Sequence, residues 1–121
     1  MTQRIKNNTA DKIALFAAIH DNREILEEFY KGNIYFNVNS VLITAAHYNN
    51  YNIVFDCFEK YAATNVIDAM NIILDHIFTD FAISNEETKN NQRFIIKYLI
   101  EERNAKIPKE YNNFFINFLK I

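Results

Sequence analysis

FAAIHDNREILEEFY, residues 16–30, aligns without a gap on TAAHYNNYNIVFDCF, residues 44–58, at a spacing of 28 residues. Ala17-Ala18 meets Ala45-Ala46, and Asp21-Asn22 meets Asn49-Asn50. Ile25-Leu26 meets Ile53-Val54, and Phe29-Tyr30 meets Cys57-Phe58. NQRFIIKYLI, residues 91–100, repeats the second half, with Ile95-Ile96 and Leu99-Ile100 in the same places. A small-residue pair, a polar turn and a paired aliphatic run describe one helical hairpin, and its recurrence describes a stack of them.

Working outward, the 3.6-residue period predicts helices over most of the chain. Thr9 caps a helix over about 10–20, with Ile13, Phe16, Ala17 and His20 on one side. Asp21-Asn22 is a tight turn into a helix over 23–31, whose apolar stripe is Ile25, Leu26, Phe29 and Tyr30. Gly32 occupies the position of a left-handed helix-ending residue. Residues 33–39 are extended or turn-like. Asn39 or Ser40 caps the next helix through Tyr48, and Asn49-Asn50 turns into a helix over 51–62. Thr64 caps a longer helix to about Phe81, with Val66, Ile67, Met70, Ile73, Leu74, Ile77 and Phe78 inward. Ser84-Asn85-Glu86-Glu87 fits a capping box, and residues 85–92 are a loop or frayed start before a helix over 93–103. Pro108 suits the first turn of a last helix that carries Phe114, Phe115 and Phe118. The expected fold is all-α: about three helical hairpins, with repeat-like units at about 10–38, 39–63 and 64–107, plus a C-terminal helix over 108–121.

These residues resemble ankyrin repeats over roughly residues 10–108. The family pattern is an Ala-Ala pair in a first helix, an Asn-Gly-like turn, then paired aliphatics in a second helix. RFIIKYLIEERNAKIP, residues 93–108, is similar to a second helix and its following loop. The chain departs from the family in lacking the opening Thr-Pro-Leu-His, in its spacings of 28 and then 42, and in having no turn glycine. The resemblance implies an α-solenoid whose loop tips and first-helix faces bind another protein.

Composition narrows the function classes. Of 121 residues, 50% are hydrophobic, so a packed core is within reach. One Gly and one Pro exclude collagen-like repeats, Gly-rich phosphate loops and Pro-rich linkers, and argue against a turn-rich β-sandwich. The net charge of −2 is unevenly spread. Residues 21–87 hold eleven acids against three bases, and residues 88–121 hold seven bases against three acids. The basic tail is interrupted by Glu101, Glu102 and Glu110, so nucleic acid is a disfavoured partner. The start, MTQRIKNNTADK, has no apolar run after its bases, and no run elsewhere is long enough for a membrane span. One cysteine allows no internal disulfide, so the expected location is the cytoplasm.

No arrangement of residues announces chemistry. His20, His47 and His76 form no i,i+3 or i,i+4 pair, so no helical two-histidine metal grip exists. His76 and Asp80 are one turn apart and define the rival reading, a small helical enzyme or ligand binder. A second rival is a nucleic-acid binder using the basic C-terminal region. Cys57 falls in an apolar stripe that raises a thiol pKa, which suits packing over nucleophilic attack. The pairs Glu27-Glu28, Glu86-Glu87 and Glu101-Glu102 diverge by about 100° around a helix and share no substrate. The sequence therefore predicts no catalytic residue, cofactor or metal.

The aromatics divide in two. Phe16, Phe29, Phe58, Phe78, Phe94, Phe115 and Phe118 have helical spacing and are expected in the core. Tyr35, Phe36, Tyr48 and Tyr51 fall in or beside turns, where tyrosine offers apolar area with a polar tip. With the ankyrin resemblance, Tyr35, Phe36, His47, Tyr48 and Asn49 become candidate partner contacts. Helical phase also leaves Glu27, Glu28, Asp56 and Glu59 towards water. The expected function is non-catalytic protein binding, in its sharpest form an inhibitor or immunity-type protein that neutralises a basic partner such as a nuclease.

Overall fold

Asparagine begins and ends the helices of this protein, and its positions explain where they fall. The computed structural model describes residues 8–80 and 83–114. The helices are α1 (Asn8–Ile19), α2 (Arg23–Lys31), α3 (Val38–His47), α4 (Tyr51–Glu59), α5 (Val66–Asp80) and α6 (Glu86–Arg103), with a 3-10 turn at Lys109–Tyr111. The fold is all-α, and no strand occurs among the described residues, Tyr35–Val38 included. The Asn22 Oδ1 accepts the Ile25 amide at 3.3 Å, Asn37 Oδ1 accepts the Ser40 amide at 3.1 Å, and Asn85 Oδ1 accepts the Thr88 amide at 2.8 Å. Each satisfies a backbone donor that a helix N-terminus leaves open.

Several expected boundaries move as a result. Thr9 lies inside α1 and does not cap it. α3 starts at Val38 behind Asn37, ahead of the expected Asn39 or Ser40. Asn85, not Ser84, caps α6, which starts seven residues before Arg93; residues 86–92 are helix. Ser84 instead donates its hydroxyl to the Asp80 carbonyl at 2.9 Å. Polar composition misled there, because Glu, Lys and Gln are good helix formers once a cap starts the helix. Pro108 precedes the 3-10 turn; most of the expected C-terminal helix, with Phe115 and Phe118, lies outside the described residues.

Helix exits use left-handed residues. Asp21 (φ 55°) follows α1 and Asn49 (φ 58°) follows α3, at equivalent repeat positions. Behind each, an amide reaches five residues back: Asn22 to the Ala17 carbonyl at 2.8 Å, and Asn50 to the Ala45 carbonyl at 2.9 Å. These are Schellman-type closures that need φ > 0, which Asn and Asp tolerate best after Gly. Gly32 is not left-handed: its φ is −84°, and Asn33 at φ 55° takes that role. Ala62 (φ 61°) does the same after α4, and Asn104 (φ 58°) after α6.

The chain divides into two compact units, Met1–Asn65 and Val66–Ile121. In the first, α1 packs on α2 and α3, and α3 packs on α4. Ala17, Ala18, Ala45 and Ala46 are all fully buried, so paired helices approach across small side chains. The buried side of α1 is Ala10, Ala14, Ala17 and Ala18. It is rotated away from the expected stripe, and Phe16 is left 55% exposed. Leu26, Val41, Leu42, Ile53, Val54, Cys57 and Phe58 complete this core. In the second unit, α5 and α6 pack together through Ala69, Met70, Ile73, Leu74 and Ile77 on one side and Ile95, Ile96 and Leu99 on the other. Phe78 and Phe94, expected inside, are exposed, as are Ile67 and Ile83. Phe78 keeps edge contacts with the Tyr111 and Phe114 rings at 5.4 and 5.6 Å.

Candidate functional site

Within the first unit a side-chain link recurs with the repeat. Asp11 Oδ1 accepts the Asn37 amide at 3.0 Å, across 26 residues. Asn39, 28 residues after Asp11, accepts the Asn65 amide at 3.2 Å, also across 26 residues, and the Thr64 amide at 3.0 Å. In both cases an oxygen in the first turn of one helix fixes the entry into the next copy of the pattern. Asn50 adds a second tie, donating its amide to the Ala18 carbonyl at 2.7 Å and the Ile19 carbonyl at 3.2 Å. These bonds hold residues 33–37 and 47–50 as fixed connections between helices.

A cleft of about 470 Å³ opens beside the first of those connections, lined by Tyr30, Lys31, Asn33, Ile34, Tyr35, Phe36, Val38 and Tyr61. The sequence places its parts well apart. Tyr30 and Lys31 close α2, Tyr61 follows α4, and Asn33 to Phe36 cross between α2 and α3. Tyr30 and Tyr61 have ring centroids 5.2 Å apart, and Phe36 meets Tyr61 edge-on at 5.6 Å. Phe36 also touches Phe29 at 6.3 Å. The outer side stays open: Tyr30, Ile34 and Tyr35 are 56%, 42% and 40% exposed.

Beneath the cleft lies an ion pair between α2 and α4. Arg23 Nε donates to Asp56 Oδ2 at 2.8 Å and Arg23 Nη2 donates to Asp56 Oδ1 at 2.9 Å. Lys60 Nζ lies 3.9 Å from Asp56 Oδ1. The Asp56 carboxylate is buried, its side chain 3% exposed. The expectation that Asp56 faces water is therefore corrected. A two-pronged guanidinium bond offsets the cost of burying that charge, a pairing that helical phase alone does not reveal. The Asp56 hydrogen bond holds the Arg23 guanidinium further towards its charged form. Burial, then the Asp56 charge, pushes the Cys57 thiol up to about 12. The same two causes, with Glu27 third, push the Tyr61 phenol up to about 12.

The remaining sequence candidates fall into two places. Tyr35 and Phe36 precede α3, whereas His47, Tyr48 and Asn49 end it. Ten residues of helix separate them by roughly 15 Å, so they form no single patch. Phe36 is buried and holds the cleft floor, while Tyr35 offers surface. His47, Tyr48 and Asn49 are exposed, and Asn49 Oδ1 accepts the Tyr51 hydroxyl at 3.0 Å. Glu28 and Glu59 are exposed, and Glu27 is half-buried with Lys31 Nζ at 3.5 Å. His76 and Asp80 lie half-buried on α5.

Sequence reasoning missed Tyr30 and Tyr61 as site residues. Tyr30 was assigned to the apolar stripe, and Tyr61 sits just past a helix end. The available signal was their place at the close of two equivalent second helices. Among the described residues no helix is long and apolar enough to cross a membrane. No group of three or more His, Cys, Asp or Glu among them could hold a metal ion. No protein-family model matches the chain, and no curated protein or solved structure matches it.

Proposed function

We propose that this protein is a non-catalytic, ankyrin-like hairpin-repeat protein that binds another protein. In its most concrete form it is an inhibitor or immunity-type protein occupying a basic partner such as a nuclease. The observation that carries the reading is the cleft: exposed Tyr30, Ile34 and Tyr35 rest on a floor made by Phe36 and Tyr61. Tyrosine on rigid backbone is what interfaces enrich, because it brings large contact area with few rotatable bonds. The repeat geometry supports the ankyrin-like part. Asp21 and Asn49 make matching turns, Asp11 and Asn39 make matching ties, and α5–α6 is the divergent third copy. A Cys57 thiol pushed up to about 12 stays protonated and unreactive at neutral pH, which favours a packing role.

The test places a photo-cross-linking amino acid at Tyr35 in the native host, with Asp75 on α5 as the control position. The expected result is one protein captured at Tyr35 and not at Asp75. With that partner purified, Tyr35→Ala lowers affinity about tenfold. Association slows as salt rises, and slows again when Glu27, Glu28 and Glu59 are reversed to Lys. Capture of nothing above the control sinks the reading.

A further inference from the structure

The geometry points to the cleft between the ends of α2 and α4 as a seat for one basic side chain, an arginine, presented by the partner protein. This deepens the protein-binding reading above and rests on it. Three features of the cleft favour a cation. Tyr30, Phe36 and Tyr61 cluster with ring centroids 5.2 and 5.6 Å apart, and aromatic faces attract cations. The C-termini of α2, at Lys31, and of α4, at Glu59, both reach this place. Each helix end carries about half a negative charge. Two carboxylates, Asp56 and Glu27, act on Tyr61 in the same sense, both raising its phenol pKa, with Arg23 opposing.

A fourth feature selects the head group. Tyr61 is 6% exposed, yet its hydroxyl makes no hydrogen bond among the described residues. Its oxygen has lone pairs for an N–H donor, and Asn33 adds a side-chain amide at the cleft edge. Guanidinium is planar, carries five donors, stacks on rings and is less tightly hydrated than ammonium. Arginine therefore fits better than lysine. The cation that lines the cleft itself is Lys31, whose ammonium is 3.5 Å from Glu27. Lys60 is held towards Asp56 at 3.9 Å. An arriving guanidinium competes with Lys31 for Glu27, so removing Lys31 has an unusual consequence: it strengthens binding.

The experiment titrates the full chain with N-acetyl-arginine amide and follows the ring resonances of Tyr30, Phe36 and Tyr61 by NMR. Saturable shifts are expected at these three rings. The neutral citrulline amide should bind about fivefold more weakly or worse, and the glutamate amide not at all. Lys31→Ala should tighten arginine amide binding about threefold, and Tyr30→Leu should weaken it about threefold with an unchanged melting temperature. Equal response to citrulline, preference for glutamate, or weaker binding by Lys31→Ala overturns the proposal. If arginine amide binds here while nothing cross-links at Tyr35, the seat stands and the protein-binding reading falls. If a partner cross-links but its affinity ignores both Lys31→Ala and Tyr30→Leu, the seat falls and the reading stands.

Discussion

Hairpins α1–α2 and α3–α4 share a plan and differ in one charged position. Both turn on a left-handed acid or amide, Asp21 and Asn49, behind a fully buried alanine pair. Both carry their aliphatic pair at the same offset. Yet Glu28 is exposed, while Asp56, its counterpart 28 residues on, is buried and bonded to Arg23. The difference shows that the repeat specifies backbone closure and helix approach, which depend on small residues and φ > 0. It leaves charged positions to whatever neighbour each copy meets. α5 and α6 make the contrast sharper. They are 15 and 18 residues long and have no alanine pair, and α6 begins with an Asn85 cap in place of a left-handed turn.

The largest test of that contrast is Arg23→Ala. It leaves the Asp56 carboxylate buried with only distant Lys60 for compensation, and should cost about 3 kcal/mol in denaturant unfolding. Glu28→Ala, at the equivalent position, should cost less than about 0.5 kcal/mol. Equal small losses would make Asp56 an ordinary surface acid and erase the difference between the hairpins.

Next come the alanine pairs. Ala18→Leu and Ala46→Leu each add bulk where helices meet and should each cost about 1–3 kcal/mol. Similar losses strengthen the equivalence of the two hairpins. A loss at one site only would break it.

Alkaline stability tests the position where Phe29 of the first hairpin is replaced by Cys57 in the second. The folded-state thiol pKa is raised from 9.0 to about 12, so the unfolded chain gives up its proton first. Stability from this group is complete below pH 9 and is lost as pH rises towards about 12, with a slope of up to about 1.4 kcal/mol per pH unit. Tyr61, raised from 10.0 to about 12, adds a loss of the same sign above pH 10. Cys57→Ala should flatten the melting-temperature decline between pH 9 and 10. An unchanged decline would mean that the thiol reaches solvent.

The smallest effect is at the exits of the second helices. Asn33 and Ala62 both sit at positive φ, 55° and 61°, but alanine lacks the side chain that makes this tolerable. Ala62→Gly should stabilise the protein by about 0.5–1 kcal/mol, and Asn33→Gly by less. A loss at Ala62 would show that its exit needs the side chain.

The hairpins, their turns and most helix cores were legible because the signals are local. A periodic stripe, an Asp-Asn or Asn-Asn turn and an alanine pair each act within a few residues. The rotation of α1 was not legible. Ile13 and Phe16 look like a core stripe by hydrophobicity, but close helix approach buries the alanine side and turns Phe16 outward. Half of the candidate site was visible as Tyr35 and Phe36, since tyrosines in connections stand out. Tyr30 and Tyr61 were not visible, because their cleft joins the ends of two helices about thirty residues apart.

The sequence by itself determined that the chain is helical, where it turns and which residues pair between copies, since propensity, capping and small-residue spacing are properties of neighbours along the chain. Tertiary structure alone decided the fates of Asp56, Phe36 and Tyr61. Whether a charge is buried depends on whether Arg23, 33 residues away, supplies two donors at 2.8 and 2.9 Å. Whether an aromatic ring is floor or surface depends on which other rings reach it, and no window of sequence contains that contact.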